Sequence, residues 1–405
     1  MNYLNDAHAI EADLVTLRRD LHSHPEIGLD LPQTRSRVLA ALDGLPLEVT
    51  IRDDDSSIVA VLRGREGASA QRSVLLRADM DALPVRETTG IPFAFAGDVM
   101  HACGHDLHTA MLVGAARLLS ARRTHLAGDV VLMFQPGEEG YDGARRMISA
   151  GVLDASGVRA SSAYALHVTS ARFGSGVVAT RPGPLMAAAD VLRVVVRGAG
   201  GHASAPHHAL DPITVAAEMV TSLQTMITRR FDAFDPVVLT VGYIHGGTLN
   251  NIIPDTAEFH AAVRTFSPEA QKEIAERAAQ LCHGVASAYG LTAEVTWETL
   301  YPVTINDADE VDFVRATASV LFGAIKVTTM QTPMAGAEDF SRVLQEVPGA
   351  MAFLGATAED ADPSTAAFNH SPLAVYDEAV LASGTALLAR LADDRLASLA
   401  ASDRR

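Results

Sequence analysis

The chain has 405 residues, 48% of them hydrophobic and 20% charged, an ordinary globular composition whose length favours two domains over one. A net charge of −17 argues against a nucleic-acid or anionic-membrane surface, and no apolar run approaches the roughly 20 residues of a membrane span. Two cysteines, Cys103 and Cys282, give no disulfide framework, and Met1-Asn2-Tyr3-Leu4-Asn5-Asp6 lacks the basic and apolar regions of a signal peptide, so a reducing, cytoplasmic setting is expected.

Ile10, Leu14, Leu17 and Leu21 predict one amphipathic helix over about 7–21. It runs into Arg18-Arg19-Asp20-Leu21-His22-Ser23-His24-Pro25-Glu26, where Pro25 disfavours helix for His24. His22 and His24 invite a metal reading, but a capped, hydrogen-bonded corner is preferred. A second helix is expected over 34–42, stopped by Gly44. Strands follow at 47–51, 57–62 and 73–77, the last leading into Asp79-Met80-Asp81. Carboxylates beyond the C-terminal end of an apolar strand stand where open α/β sheets place ligands, and two at this spacing share a side of an extended segment. Either could instead cap a turn.

Met100-His101-Ala102-Cys103-Gly104-His105-Asp106-Leu107-His108 is the densest chemistry in the chain. Cys103 and His105 are two positions apart, about 200° on a helix, so an extended loop around Gly104 is expected to turn both toward one point. Thiolate with imidazole suits a borderline-soft divalent metal; the alternative is a polar loop with a buried thiol. A buried helix is expected over 109–119, with Asp106 near its positive end. The apolar strand at 129–135 leads through Pro136-Gly137 into Glu138 and Glu139, a pair placed for function rather than surface decoration. A short helix is expected over 140–150 and a strand over 163–168 carrying His167. A lone strand histidine is usually core, but this one gains weight because earlier strands also end in donors.

Thr180-Arg181-Pro182-Gly183-Pro184 reads as a domain joint. Beyond it come a strand at 191–196, a helix at 212–227, strands at 237–244 and 256–265, a helix at 268–289 and a strand at 291–300. That β-α-β-β-α-β order is the split pattern of a ferredoxin-like sandwich, which leaves a sheet edge or helix face for pairing. An α/β pattern resumes from Pro302, with a helix at 309–322, a polar loop Met334-Ala335-Gly336-Ala337-Glu338-Asp339-Phe340, a strand at 350–355, Asn369-His370-Ser371-Pro372 and a closing helix at 377–391 before a frayed tail to Arg405. The expected architecture is α/β, with residues 1–184 and 300–405 forming one domain around an insertion at 185–299.

Asp79, Asp81, Cys103, His105, Glu138, Glu139, His167 and His370 would all meet at one sheet edge in such a fold. Two divalent cations roughly 3.5–4 Å apart would account for so many donors. Adjacent glutamates cannot easily bind the same ion, so one is expected as ligand and the other as general base on a metal-activated water.

These motifs resemble the aminoacylase, hippurate hydrolase and auxin-conjugate amidohydrolase family, relatives of carboxypeptidase G and succinyl-diaminopimelate desuccinylase. The likeness rests on Arg18–Glu26, Arg77–Pro84, Met100–His108, Gln135–Gly140, Gly200–Pro206, Asn250–Pro254, Gly336–Phe340 and Asn369–Pro372, so it spans nearly the whole chain. It implies a zinc-peptidase-like catalytic domain, a central mixed sheet flanked by helices, with an inserted lid or dimerisation domain. By the same resemblance Cys103 bridges two metals, with His105, Glu139, His167 and His370 as further ligands and Glu138 as general base. Asp81 orients a metal-site group without touching metal. His202 reaches the partner subunit's site to stabilise the oxyanion, and Asn251 and Arg264 contact the substrate's carboxylate end. The wider family has a histidine ligand where Asp79 stands and a carboxylate bridge, which leaves the role of Asp79 open. A thiolate bridge favours zinc, with manganese, cobalt or nickel as alternatives. The activity implied is amide hydrolysis of N-acyl (acetyl, benzoyl or similar) amino acids by a cytoplasmic homodimer or higher oligomer. A dipeptidase or aminopeptidase on the same scaffold, or a non-catalytic dimeric binding protein, are the rivals.

Overall fold

A computed structural model describes residues 2–65 and 71–402. The chain divides into two compact units, Met1–Leu185 with Ile305–Thr332 and Arg342–Arg405, and Met186–Thr304 with Pro333–Ser341.

The first unit opens with two helices rather than one. Tyr3–Ala9 ends at Ile10, whose non-helical backbone also starts α1 (Glu11–His22), so the continuous stripe predicted over 7–21 is broken once. Strands β1 (Leu47–Ile51), β2 (Ile58–Leu62), β3 (Ser73–Asp79), β4 (Asp129–Gln135), β5 (Ala160–Thr169) and β6 (Val178–Thr180) follow, with α2 (His105–Ser120) between β3 and β4. The second unit contributes β7 (Ala189–Arg197), α3 (Pro212–Arg230), β8 (Val238–Gly246), β9 (Thr256–Arg264), α4 (Pro268–Ala288) and β10 (Thr292–Tyr301). The first unit is then completed by β11 (Val327–Thr329), β12 (Gly349–Gly355) and α5 (Val380–Ser402). That last helix begins three residues later than expected and runs well past Leu391. Apolar positions Leu396 and Ala400 continue its buried face to near the end of the described residues, and the tail expected to fray lies partly outside them.

Among the described residues the sheet of the first unit has the order β1-β2-β4-β3-β5-β12-β6-β11. It is mixed: β3 runs parallel to β4 and β5, β5 parallel to β12, while β2 is antiparallel to β1 and β4. Every residue of β3, β4 and β12 is buried, the signature of strands covered on both faces. One continuous core joins Val74, Leu76, Val130 and Leu132 to Leu112 and Ala116 of α2 and Leu387 and Leu391 of α5. The C-terminal ends of the parallel strands therefore open at one edge, with α2 starting beside them.

The second unit is a four-stranded antiparallel sheet in the order β8-β9-β7-β10 with α3 and α4 on one face, the ferredoxin-like arrangement. Alternate residues Leu192, Val194, Val196, Phe259, Ala261 and Val263 are buried against Val215, Met219 and Leu223 of α3 and Ile274, Ala278 and Cys282 of α4. This is the period-two burial of a sheet covered on one side. Strand β8 is an edge and leaves Val238, Tyr243 and Ile244 exposed. No helix among the described residues is long and apolar enough to cross a membrane.

Candidate metal centre

The nine-residue cluster is not an extended loop. Gly104 takes a left-handed conformation (φ 82°) as the residue before α2, and the helix begins at His105, four residues earlier than the periodicity suggested. Cys103 on one side of that corner and His105 on the other still converge, because the left-handed turn does what an extended loop was expected to do.

Strand β4 ends in a second tight corner. Gly137 has φ 70°, and a Cβ there would stand 2.6 Å from Leu29 Cδ2, so the turn that delivers Glu138 and Glu139 needs glycine. Asp81, just past β3, grips both glutamates by their backbone: its Oδ1 accepts the N–H of Glu138 and its Oδ2 that of Glu139, each at 3.0 Å. His370 arrives on a left-handed residue of its own (φ 73°), with its amide donating to Ala102 O at 2.8 Å. Strained non-glycine backbone of this kind persists where the surroundings over-determine it, commonly at functional sites. Asn369 provides that surrounding, donating to Val168 O (3.0 Å) and Cys103 O (3.3 Å) and accepting from the Ser170 amide (3.0 Å).

The donors form two groups that share Cys103. In one, ligand atoms of Cys103, His105 and His167 lie within 4.8 Å of one another; in the other, those of Cys103, Glu139 and His370 do. Cys103 Sγ is 3.5 Å from His167 Nε2 and 3.2 Å from His370 Nε2, and His370 Nε2 is 3.1 Å from Glu139 Oε1. His105, Glu138 and Glu139 make a further close group, which sets Glu138 against the shared space. Among the described residues neither ring nitrogen of the buried His105 finds a hydrogen-bond partner in good geometry. Its Nε2 stands 3.7 Å from Asp79 and 3.9 Å from Glu139, and its Nδ1 3.5 Å from Asp81. A buried polar atom left this way calls for an ion or water, and a thiol, three imidazoles and a carboxylate suit a divalent metal.

The two histidines beside Cys103 differ in charge. Hydrogen bonds to Cys103 and Glu139 raise His370 to about 10, so a cation binding there must displace its proton. Burial holds His167 well below its ordinary value and therefore neutral, as a ligand must be. Its Nδ1 meets Val168 O at 2.8 Å, which leaves Nε2 directed at Cys103. Glu139 is lowered despite burial, because the His370 hydrogen bond and the charge of His105 outweigh desolvation.

The other predicted residues divide clearly. Asp79 and Asp81 both approach His105 but serve different partners, Asp79 pairing with Arg77 (2.6 Å) and His108 (2.6 Å). His202 and Asn251 come together in the second unit on the short ribbon that pairs Gly201–His202 with Ile252–Ile253. There His202 Nδ1 accepts from the Ser204 amide, and Ala203 N–H donates to Asn251 O. Arg264 ends β9 in the same unit, with Nη1 donating to Val263 O. His22 belongs to a buried ion network and not to the metal groups: its Nδ1 is 2.8 Å from Asp106 and its Nε2 3.1 Å from Glu87, while Arg18 Nε lies 2.8 Å from Asp106. Asp106 therefore meets Arg18 and His22 rather than acting on the helix dipole alone, and His24 is a half-buried corner residue whose Nδ1 meets Asp20 O at 2.8 Å. His108 was not among the expected site residues; only its contact with Asp79, 29 positions away, brings it to the site.

A family model for Peptidase family M20/M25/M40 matches residues 75–394. The chain belongs to that family. This M20 protein is 38% identical over 392 residues to Thermostable carboxypeptidase 2 of Saccharolobus solfataricus, with 96% of each chain covered. It is 34% identical over 386 residues to N-acetylcysteine deacetylase of Bacillus subtilis, covering 95% of this chain and 97% of that one. Among solved structures it matches a dinuclear metal binding peptidase of the M20 family from Bacillus subtilis with a TM-score of 0.81 and 30% identity, covering 96% and 99% of the two chains. As an M20 protein the chain is a hydrolase of amide bonds with a mixed α/β fold, and its clustered donors are candidate metal ligands.

Proposed function

We propose that the protein is a metal-dependent amidohydrolase that cleaves N-acyl amino acids to a carboxylate and a free amino acid. The observation that carries this reading is one thiol, Cys103, shared by two donor groups with Glu138 beside them. Cys103, His105 and His167 would hold one divalent cation, and Cys103, Glu139 and His370 the other. Such a pair, zinc by the thiolate and imidazole content, supplies Lewis acidity to the scissile carbonyl and lowers the pKa of an attacking water.

The chain's own groups do the rest. Glu138, 5% exposed, has its backbone fixed by the Asp81 hydrogen bond to its amide and stands beside Glu139 and His105, and we assign its carboxylate to the general base. It takes the proton of the attacking water and returns it to the leaving nitrogen. His202 is assigned to the developing oxyanion, and Asn251 and Arg264 to the carboxylate of the amino-acid product. We further assign the edge strand β8 to a homodimer, since a strand bonded only to β9 among the described residues and carrying exposed Val238, Tyr243 and Ile244 is suited to pairing with a second copy.

Glu138→Ala tests the assignment. The variant is expected to keep its metal and lose turnover by several orders of magnitude on N-acetyl and N-benzoyl amino acids, whereas near-normal activity would overturn it. Free dipeptides in the same panel test the peptidase alternative suggested by the carboxypeptidase relative.

A further inference from the structure

His108 is 2% exposed, and both of its ring nitrogens are engaged. Nδ1 lies 2.6 Å from Asp79 Oδ1, and Nε2 accepts the backbone N–H of Val168 at 2.8 Å. An amide nitrogen only donates, so Nε2 must be the unprotonated acceptor and the ring proton must sit on Nδ1, pointing at Asp79. Strand β3 pairs with β5 only as far as Arg77 opposite Ala165. The Val168 amide lies beyond that ladder, and the imidazole takes the place of the missing strand.

The chain of contacts continues on both sides. Asp79 Oδ2 receives Arg77 Nη1 at 2.6 Å, and Arg77 Nε donates to Gln135 Oε1 at 2.9 Å. Gln135, Arg77, Asp79 and His108 are all buried, and they link the ends of β4, β3 and β5. At the far end Val168, the residue after His167, is held at its N–H by His108 and at its carbonyl by His167 Nδ1 (2.8 Å) and Asn369 Nδ2 (3.0 Å). The His108 and His167 rings are 4.7 Å apart.

Asp79, His105 and His108 also present atoms close enough to hold an ion. The Val168 hydrogen bond occupies the one lone pair that His108 would offer. We propose that His108, with its tautomer set by Asp79, is a positioning residue that aims His167 Nε2 at Cys103 and is not itself a ligand. The inference rests on the two-cation reading above and gives Asp79 its role. It predicts an asymmetric effect, since His167 is aimed by this wire directly, whereas His370 touches it only at one remove, through Asn369 Nδ2 on the Val168 carbonyl.

Asp79→Asn is the isosteric test. Its single carbonyl oxygen must serve either Arg77 or His108, and offering its NH2 to His108 would demand the tautomer that the Val168 amide forbids. Metal-free full-length protein is titrated with Co2+, and the cysteine-to-cobalt charge-transfer band and the number of equivalents are followed. In Asp79→Asn and in His108→Gln one of two binding phases should weaken by about 10–100-fold while the other stays within about threefold. Unchanged affinities in both variants would overturn the proposal, as would parallel loss of both phases with a lower melting midpoint of the metal-free protein, which marks a purely structural role. A third equivalent of cobalt removed by His108→Gln would overturn the non-ligand assignment. Nitrogen-15 spectra of the metal-free wild type should show His108 protonated at Nδ1, as His167 is toward the Val168 carbonyl, and only the His108 signal should be absent from His108→Gln; a proton at Nε2 of His108 would sink the idea. Absence of any cobalt binding by the wild type would refute the two-cation reading instead, and the tautomer would still decide the geometry.

Discussion

One carboxylate, that of Asp81, holds the peptide of Glu138 from below, with Oδ1 accepting its N–H at 3.0 Å while Oδ2 does the same for Glu139. A single side chain thus sets the spacing between the proposed base and the proposed ligand. Asp81→Asn can satisfy only one of the two amides and turns a donor toward the other. Turnover should fall about 10–100-fold with little change in unfolding midpoint. Full activity of the variant would show that the glutamate corner holds itself.

Much of this was legible in the chain because parallel core strands announce themselves as unbroken apolar runs, and donors directly after them fall at one edge. Cys103, His105, Glu138, Glu139, His167 and His370 were found that way and lie together. The β-α-β-β-α-β rhythm likewise gave the second sheet, whose one-sided burial writes a clean alternation. What escaped were properties of contact rather than pattern. Helix α2 was started at Thr109 because the left-handed Gly104 that begins it has no hydrophobic period. His108 and Asp79 meet across 29 positions, and no spacing rule pairs them. His22 reads from the sequence as part of a capped, hydrogen-bonded corner, but the partners that bury Arg18 beside it, Asp106 and Glu378, are remote in sequence.

The two thiols should behave oppositely toward an alkylating reagent. Cys282 is fully buried in the core of the second unit, and burial pushes its thiol up to about 12, so almost no thiolate exists at pH 8. Intact-mass analysis of native metal-free protein should show at most one modification, at Cys103, and Zn2+ should suppress it. Native modification of Cys282 would contradict its burial, and equal labelling of Cys103 with and without Zn2+ would count against thiolate ligation.

Gly104→Ala should damage fold and site together. Its φ of 82° is unfavourable for any side chain, and a Cβ would stand 2.4 Å from Val168 Cγ2 and 3.1 Å from Tyr376 Cε1. Backbone strain and overpacking together predict a loss of about 2–4 kcal/mol. Gly44 is the control: it has φ 75° with nothing within 4 Å, so Gly44→Ala should cost only the backbone part, about 1 kcal/mol. Denaturant midpoints measure both, and equal losses would show that the Val168 contact is absorbed.

The second unit carries its own pH dependence in Asp190. This carboxylate is buried and accepts from Thr299 Oγ1 (2.7 Å), Trp297 Nε1 (3.1 Å) and Gln271 Nε2 (2.9 Å). Burial raises its pKa, and these hydrogen bonds with the charge of Arg264 only partly offset the shift. Between the ordinary carboxylate value of about 4 and the raised one, the folded state binds more protons than the unfolded chain. The stability tied to this group is therefore fully present below about pH 4 and is lost as pH rises through the folded value. Asp190→Asn removes the titration, at the cost of an acceptor that does not depend on pH. The variant's deficit in urea midpoint relative to wild type should shrink from pH 4 to pH 7; a constant difference over that range would mean that Asp190 titrates alike in both states.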